Sequence, residues 1–201
     1  SLAILKFKNM EQTLVVLKPD AVARGICGEI ISRFEKVGLK MVGCKLIKVS
    51  KELAEKHYPK EREEFIRGMG QKTLDNYKAL GVDVKKELGT DDSYQIGLMI
   101  RQWLIEMITS GPVLAMIFEG PHAVGLVRKI AGHTLPLQAA PGTIRGDYSF
   151  DSSYLANTAK RAIKNLLHAS GNQDEAKYEV SLWFSKDEIC QYERVEEKVM
   201  R

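Results

Sequence analysis

Apolar positions along the chain alternate between a period of two and a period near 3.6, and the switches mark the elements. Gln12 to Leu17 ends in the apolar run Leu14-Val15-Val16-Leu17 and stops at Lys18-Pro19-Asp20. Proline has no N–H to give a central ladder, so the pattern predicts a buried strand with a sharp end. From Gly25 to Gly38, Ile26, Ile30, Ile31, Phe34 and Val37 follow helical spacing, and the closing glycine suits a residue just past a helix end. Leu39 to Val49 alternates but loses phase across Gly43, which predicts a second strand with a bulge. Ser50 can then cap a short helix through Lys56.

A second unit repeats this order. Val113 to Phe118 reads as a strand, with a helix entered at Pro121 and ended near Gly132. Leu166, Leu167 and His168 read as a short fourth strand. Asn172 then caps an amphipathic run carrying Ala176, Val180, Leu182 and Trp183, and Ser185 with Glu188 spells a capping box for a final helix. Two β-α-β units interleaved with helices predict an α/β fold: a ferredoxin-like, split βαβ antiparallel sheet with helices covering one face.

Two stretches exceed that minimal unit. Met69 to about Trp103 is charged and holds a predicted helix from Asp92 to Ile108, so it reads as an insertion with its own small apolar face. Gly132 to Phe150 is a long connection containing Pro136, Pro141, Gly142 and Gly146, with Arg145 beside Asp147, and long ordered loops of this kind are often functional. Gly68-Met69-Gly70-Gln71-Lys72-Thr73 resembles half of a phosphate-binding loop, but glutamine stands where G-x-x-x-x-G-K-[ST] needs glycine and no strand leads in. G-x-G-x-x-G is also absent.

Length and composition narrow the class. The 201 residues fit one large domain or one domain with an insertion, here residues 10–201. Ser1 to Asn9 lack a starting Met, precede Met10 and read as an upstream or added extension. With 44% hydrophobic and 28% charged residues the chain can bury a core, which excludes disordered and collagen-like classes. Its apolar runs fall far short of the roughly 20 residues of a membrane helix. The net charge of +4 is spread among acidic residues rather than gathered into a stripe, which suits small anionic substrates and does not specify nucleic acid. Cys27, Cys44 and Cys190 show neither C-x-x-C nor zinc spacing, pointing to a reducing, cytoplasmic compartment and no dedicated metal site.

Of four histidines, His57, His122 and His133 read as ordinary structural residues. His168 differs: a short buried strand would deliver its ring to the small-residue turn Ala169-Ser170-Gly171, leaving room for a large anion. Ser170 would lie on the same strand face, and Glu179 could reach back from the next helix. A carboxylate on one ring nitrogen fixes the tautomer and frees the lone pair of the other.

Five co-linear segments carry a family resemblance: Leu17-Lys18-Pro19-Asp20-Ala21-Val22, His57-Tyr58, Ser110-Gly111-Pro112-Val113, Pro141-Gly142-Thr143-Ile144-Arg145-Gly146-Asp147, and Asn165-Leu166-Leu167-His168-Ala169-Ser170. In order and spelling the chain resembles the nucleoside diphosphate kinases, from about Glu11 to Tyr192 apart from the insertion. The resemblance implies ping-pong transfer of a γ-phosphate between nucleoside triphosphates and diphosphates, with ATP among the donors and His168 as the nucleophile. It implies phosphate contacts from Lys18, Arg128 and Arg145, a hydroxyl from Thr134 and a tyrosine, Tyr58, beside the reacting phosphate. Asn165 and Lys18 would bind the ribose, Phe65 would stack the base, Ser170 would support the site and Glu179 would orient the histidine. Mg2+ would arrive on the nucleotide phosphates, and the assembly would be a homo-oligomer, by family habit a hexamer.

Read singly, each of these residues has an ordinary explanation as a strand end, surface helix residue, turn or cap. Two other readings stay open on sequence: a catalytically silent nucleotide- or nucleic-acid-binding regulator, and a hydrolase using His168 as general base. One departure stands out. After His168 the family usually has Gly-Ser-Asp-Ser, whereas this chain has Ala169-Ser170-Gly171-Asn172 and lacks that acidic side chain.

Overall fold

The computed structural model describes residues 10–199; the extension read at Ser1 to Asn9 lies outside the described residues. Its centre is a four-stranded antiparallel sheet in the order β2-β3-β1-β4, made of β1 (Met10–Leu17), β2 (Lys40–Lys48), β3 (Pro112–Pro121) and β4 (Leu167–Ala169). This is the split βαβ order, in which the first and third strands lie side by side at the middle. The break in phase across Gly43 is a bulge: Met41 pairs with Phe118 and Gly43 with Ile117, leaving Val42 unpaired.

Every residue from Leu14 to Leu17 is fully buried, because β1 has helices on both sides. Leu14 and Val16 point to a core closed by α3 (Lys51–His57), α6 (Ser93–Thr109) and α10 (Gln173–Trp183). Val15 and Leu17 point to a second core closed by α1 (Pro19–Ala23), α2 (Cys27–Lys36), α7 (Ala123–Ala131) and α8 (Ile144–Tyr148). The expectation of helices on one face is thus corrected; a continuous apolar run, rather than an alternating one, is the mark of a strand covered on both sides.

Local signals fared well where the cap itself decides. The Ser50 hydroxyl accepts from Leu53 N–H at 3.1 Å, Asp92 from Gln95 N–H at 2.8 Å and Asn172 from Glu175 N–H at 2.9 Å. Three boundaries differ from expectation. Pro121 ends β3, and the helix begins after His122, which turns the chain at φ 55°. The Ser185 and Glu188 box closes a single 3-10 turn, and α11 (Val195–Val199) comes later. The connection after α8 holds a further short helix, α9 (Ser153–Thr158), which no strong pattern announced.

The charged segment forms helices. α4 (Glu63–Ala79) runs antiparallel to α6, with α5 (Val84–Leu88) between them. Gly68 to Thr73 lies inside α4, which disposes of the phosphate-loop resemblance. Gly70 and Gly97 let the two backbones touch: a Cβ on Gly70 would fall 1.7 Å from the Ser93 carbonyl oxygen, and one on Gly97 2.0 Å from that of Ile66. No helix among the described residues is long and apolar enough to cross a membrane.

Candidate active site

β4 lies against β1 with His168 opposite Val16. The chain enters it through a tight turn at Leu166, whose φ is +73° although the residue is branched and apolar. Leu167 N–H donates to the Asn165 carbonyl at 2.9 Å across this γ-turn, Leu166 N–H donates to Asp20 Oδ2 at 3.1 Å, and the Leu166 carbonyl accepts from Lys18 N–H at 2.8 Å. Such a conformation costs on the order of 1–3 kcal/mol and persists only where its surroundings over-determine it. Here they do, two residues ahead of the histidine.

His168 Nε2 meets both oxygens of Glu179, at 2.9 and 3.0 Å. Ser170 Oγ donates to the same carboxylate at 2.6 Å and accepts from Leu14 N–H at 3.3 Å. Burial by itself would raise the Glu179 carboxyl; the His168 ring and its hydrogen bond, then His57 and Ser170, outweigh it and hold the group at about 2. Glu179 is therefore an anion that receives the Nε2 hydrogen, and the lone pair of His168 sits on Nδ1. The side chain keeps 20% of its surface open.

Three cations gather beside it, with the Asp20 carboxylate close to Lys18. Lys18 is buried, and Nζ donates to Asn165 Oδ1 at 2.6 Å, while Asn165 Nδ2 donates to the Thr134 carbonyl at 2.8 Å. Burial and then the charge of Arg145 depress Lys18 to about 8. Arg145 is itself lowered to about 10 by burial and by Arg128. Its guanidinium donates to the carbonyls of Asn165 (3.1 Å), Gly132 (2.7 Å) and Leu167 (2.8 Å), pinning the long connection to the strand that carries His168. Five N–H groups are available and these bonds use three, so each terminal nitrogen keeps one hydrogen for an incoming anion. Arg128 on α7 and the Thr134 side chain are exposed.

Tyr58 is buried against His57, its carbonyl accepts from Arg101 Nε at 2.6 Å, and burial, then Glu179, raises its phenol above the ordinary value. Phe65 stands apart on α4 with 40% of its surface exposed and the Arg62 guanidinium 5.1 Å over its ring. Arg62 in turn pairs with Glu175 at 2.7 Å, whose other oxygen accepts from Gly171 N–H at 2.8 Å, just past His168. Reading His57 as an ordinary structural residue missed a neighbour of His168: the two rings meet edge-on at 4.4 Å. The available signal was its place beside Tyr58 at the end of a short helix. His122 and His133 are exposed, His122 in the turn that enters α7.

Among the described residues, the group of His, Cys, Asp and Glu able to meet at one ion is His57, His168 and Glu179. It offers one carboxylate, already held by His168 and Ser170, and is no oxygen cage for a hard cation.

Known proteins share this sequence pattern and this fold. The sequence profile described as nucleoside diphosphate kinase matches residues 11–69 and 98–189, leaving out most of α4, all of α5 and the start of α6. A nucleoside diphosphate kinase of Pyrobaculum aerophilum is 50% identical over 182 residues, covering 90% of this chain and 99% of its own. A crystal structure of an NDP kinase from that organism superposes with a TM-score of 0.88 at 48% identity, over 90% of this chain and all of the other. A transition-state mimic of the Borrelia burgdorferi nucleoside diphosphate kinase with bound vanadate and ADP superposes at 0.74 with 36% identity, over 94% of this chain and 95% of its own. Matched along most of its length by proteins of one activity and one fold, the chain belongs to the nucleoside diphosphate kinase family, the enzymes that pass phosphate between nucleotides.

Proposed function

We propose that the phosphate in transit is carried on Nδ1 of His168. The observation that supports this is the double approach of Glu179 to Nε2, at 2.9 and 3.0 Å, which leaves Nδ1 as the nitrogen with a free electron pair. That pair attacks the γ-phosphorus of a nucleoside triphosphate, the bond from that phosphorus to its β-γ bridging oxygen breaks, and the diphosphate leaves. A terminal oxygen of a second nucleoside diphosphate then attacks the phosphohistidine and restores the neutral ring. Glu179 stabilises the positive charge that the ring takes on while its second nitrogen is phosphorylated.

Lys18, Arg128 and Arg145 surround the equatorial oxygens with positive charge, which in phosphoryl transfer matters more than covalent help. Their mutual repulsion, visible in the lowered Lys18 and Arg145 values, is relieved when a polyphosphate arrives. Thr134 and Tyr58 donate from their hydroxyls near the same chain, and Asn165 and Lys18 reach the ribose. Phe65 offers a π-face to the base, and because every base has one, nucleotide choice is broad. Mg2+ enters with the nucleotide, since the site residues hold no oxygen cage of their own. Met69 to about Trp103, an insertion relative to the family's minimal pattern, shapes the lip on which the base rests. Free cysteines fit a cytoplasmic setting, and the family's habit of symmetric assembly makes a homo-oligomer, a hexamer by preference, the working form.

Mixing the protein with γ-labelled ATP and Mg2+ tests the reading. Acid-labile, base-stable label on His168 that chases onto added GDP is the expected result, and His168→Asn abolishes it while leaving nucleotide binding intact. A general-base hydrolase would release labelled phosphate without labelling the protein, and transfer persisting in His168→Asn would overturn the mechanism.

A further inference from the structure

One buried ring in the cluster has no task in the transfer as written. The side chain of His57 is wholly enclosed, edge-on to His168 at 4.4 Å and 83°, and edge-on to Trp183 at 5.4 Å and 87°. Trp183 Nε1 lies 3.2 Å from His57 Nδ1. An indole N–H can only donate, so Nδ1 must accept, and the hydrogen of the neutral imidazole sits on Nε2. That Nε2 is buried without a hydrogen-bond partner. An orphaned donor in a closed core is costly, about 1–3 kcal/mol, and in a native fold calls for an explanation.

Glu179 supplies one. Its Oε1 is 2.9 Å from His168 Nε2 and 3.7 Å from His57 Nδ1, so two imidazoles stand before a single carboxylate. Which ring holds it depends on which ring turns a hydrogen towards it. With its hydrogen on Nε2, His57 shows the carboxylate only a lone pair already engaged by Trp183. With a hydrogen on Nδ1, it would draw Glu179 away and leave His168 free to turn over. Protonation is opposed as well. Burial first, then the neighbouring His168 ring and the charge of Lys18, outweigh the attraction of Glu179 and keep His57 neutral, at about 3, while Tyr58 against the same ring stays a neutral phenol.

We infer that Trp183 is a positioning residue for the phosphoryl transfer: by locking His57 as the Nε2–H tautomer, it leaves the whole of Glu179 to His168, so that phosphate is taken at Nδ1 of His168 and not at Nε2. This rests on His168 being the nucleophile. The orphaned Nε2–H is what that tautomer costs, and the regiochemistry of the phosphohistidine is what it secures.

The experiment uses the full chain and reads nitrogen rather than activity alone. In 15N NMR of the unmodified protein from about pH 5 to about pH 9, His57 shows a bare Nδ1 and a protonated Nε2 throughout, and finding the hydrogen on Nδ1 overturns the inference outright. In Trp183→Phe the lock is gone: the hydrogen moves to Nδ1 of His57, kcat falls at least about tenfold with KM within about twofold, and phosphate appears on both nitrogens of His168. Adding His57→Phe to that variant removes the competitor and restores kcat and the single Nδ1 isomer, a rescue that a purely structural role cannot give. A double variant no better than the single one overturns the inference. Protein that never takes label in the wild type fails the nucleophile reading instead, and the two failures are thereby distinct.

Discussion

The histidine end of the molecule and the α4 to α6 pair are held together by opposite means. Around His168 the contacts are polar, buried and between segments remote in sequence: Ser170 and Glu179 on the ring, Lys18 on Asn165, Arg145 on three carbonyls. Between α4 and α6 the contact is backbone on backbone, made where Gly70 and Gly97 carry no side chain. Polar networks in a closed site fix directions, as a nucleophile and its phosphate require. Close helix packing fixes a distance and leaves Phe65 exposed on the outer face.

Breaking each region separately sharpens that contrast. The largest effect is expected from Arg145→Met, which removes the guanidinium from three carbonyls, two of them on the segment entering β4. Buried polar groups left without their charged partner cost about 3–5 kcal/mol, seen as a lower urea midpoint at unchanged slope, with phosphohistidine formation lost alongside. Intact labelling in that variant would show that the turn at Leu166 holds itself. Gly97→Leu comes next. Its side chain must displace the Ile66 backbone, about 1–3 kcal/mol of overpacking. The α4 to α6 pair is expected to part, raising KM while leaving label on His168, because no bond of the histidine cluster passes through either glycine. Equal loss of kcat would show that the lip and the nucleophile are one unit.

The smallest effect needs no mutation. Lys18 titrates at about 8 in the free protein, depressed by burial and by Arg145, so it loses its charge as pH rises through that value. A bound phosphate favours the charged form, which means that nucleotide binding weakens above pH 8: KM climbs by up to about tenfold per pH unit until the nucleotide-bound value of Lys18 is passed. In stability the sign is opposite. The unfolded chain holds that proton up to an ordinary lysine value, so stability rises between about pH 8 and that value, while affinity falls. A flat KM over this window would mean that Lys18 does not touch the phosphates.

Local codes were legible. Ser50 and Asn172 cap the helices they announce, and the phase break at Gly43 is a bulge, because a cap or a bulge involves residues a few positions apart. The capping box at Ser185 and Glu188 formed as spelled, but in a single 3-10 turn, since a cap can start a helix without supplying the apolar face that would extend it. The pattern of Leu14 to Leu17 gave a buried strand yet left open whether one face or two were covered, a question settled only by where distant helices pack.

By itself the sequence determined the strands, the caps, the family's motif order and the histidine most suited to carry phosphate. Only the tertiary structure decided that His57, read as an ordinary structural residue, stands before the same carboxylate as His168, and that Trp183, 126 positions away along the chain, sets its tautomer. The reason is physical. Periodicity and capping are properties of neighbouring residues, whereas the position of a proton in a closed cluster is set by whichever donors and charges the fold brings within a few ångströms, and no spacing along the chain encodes that.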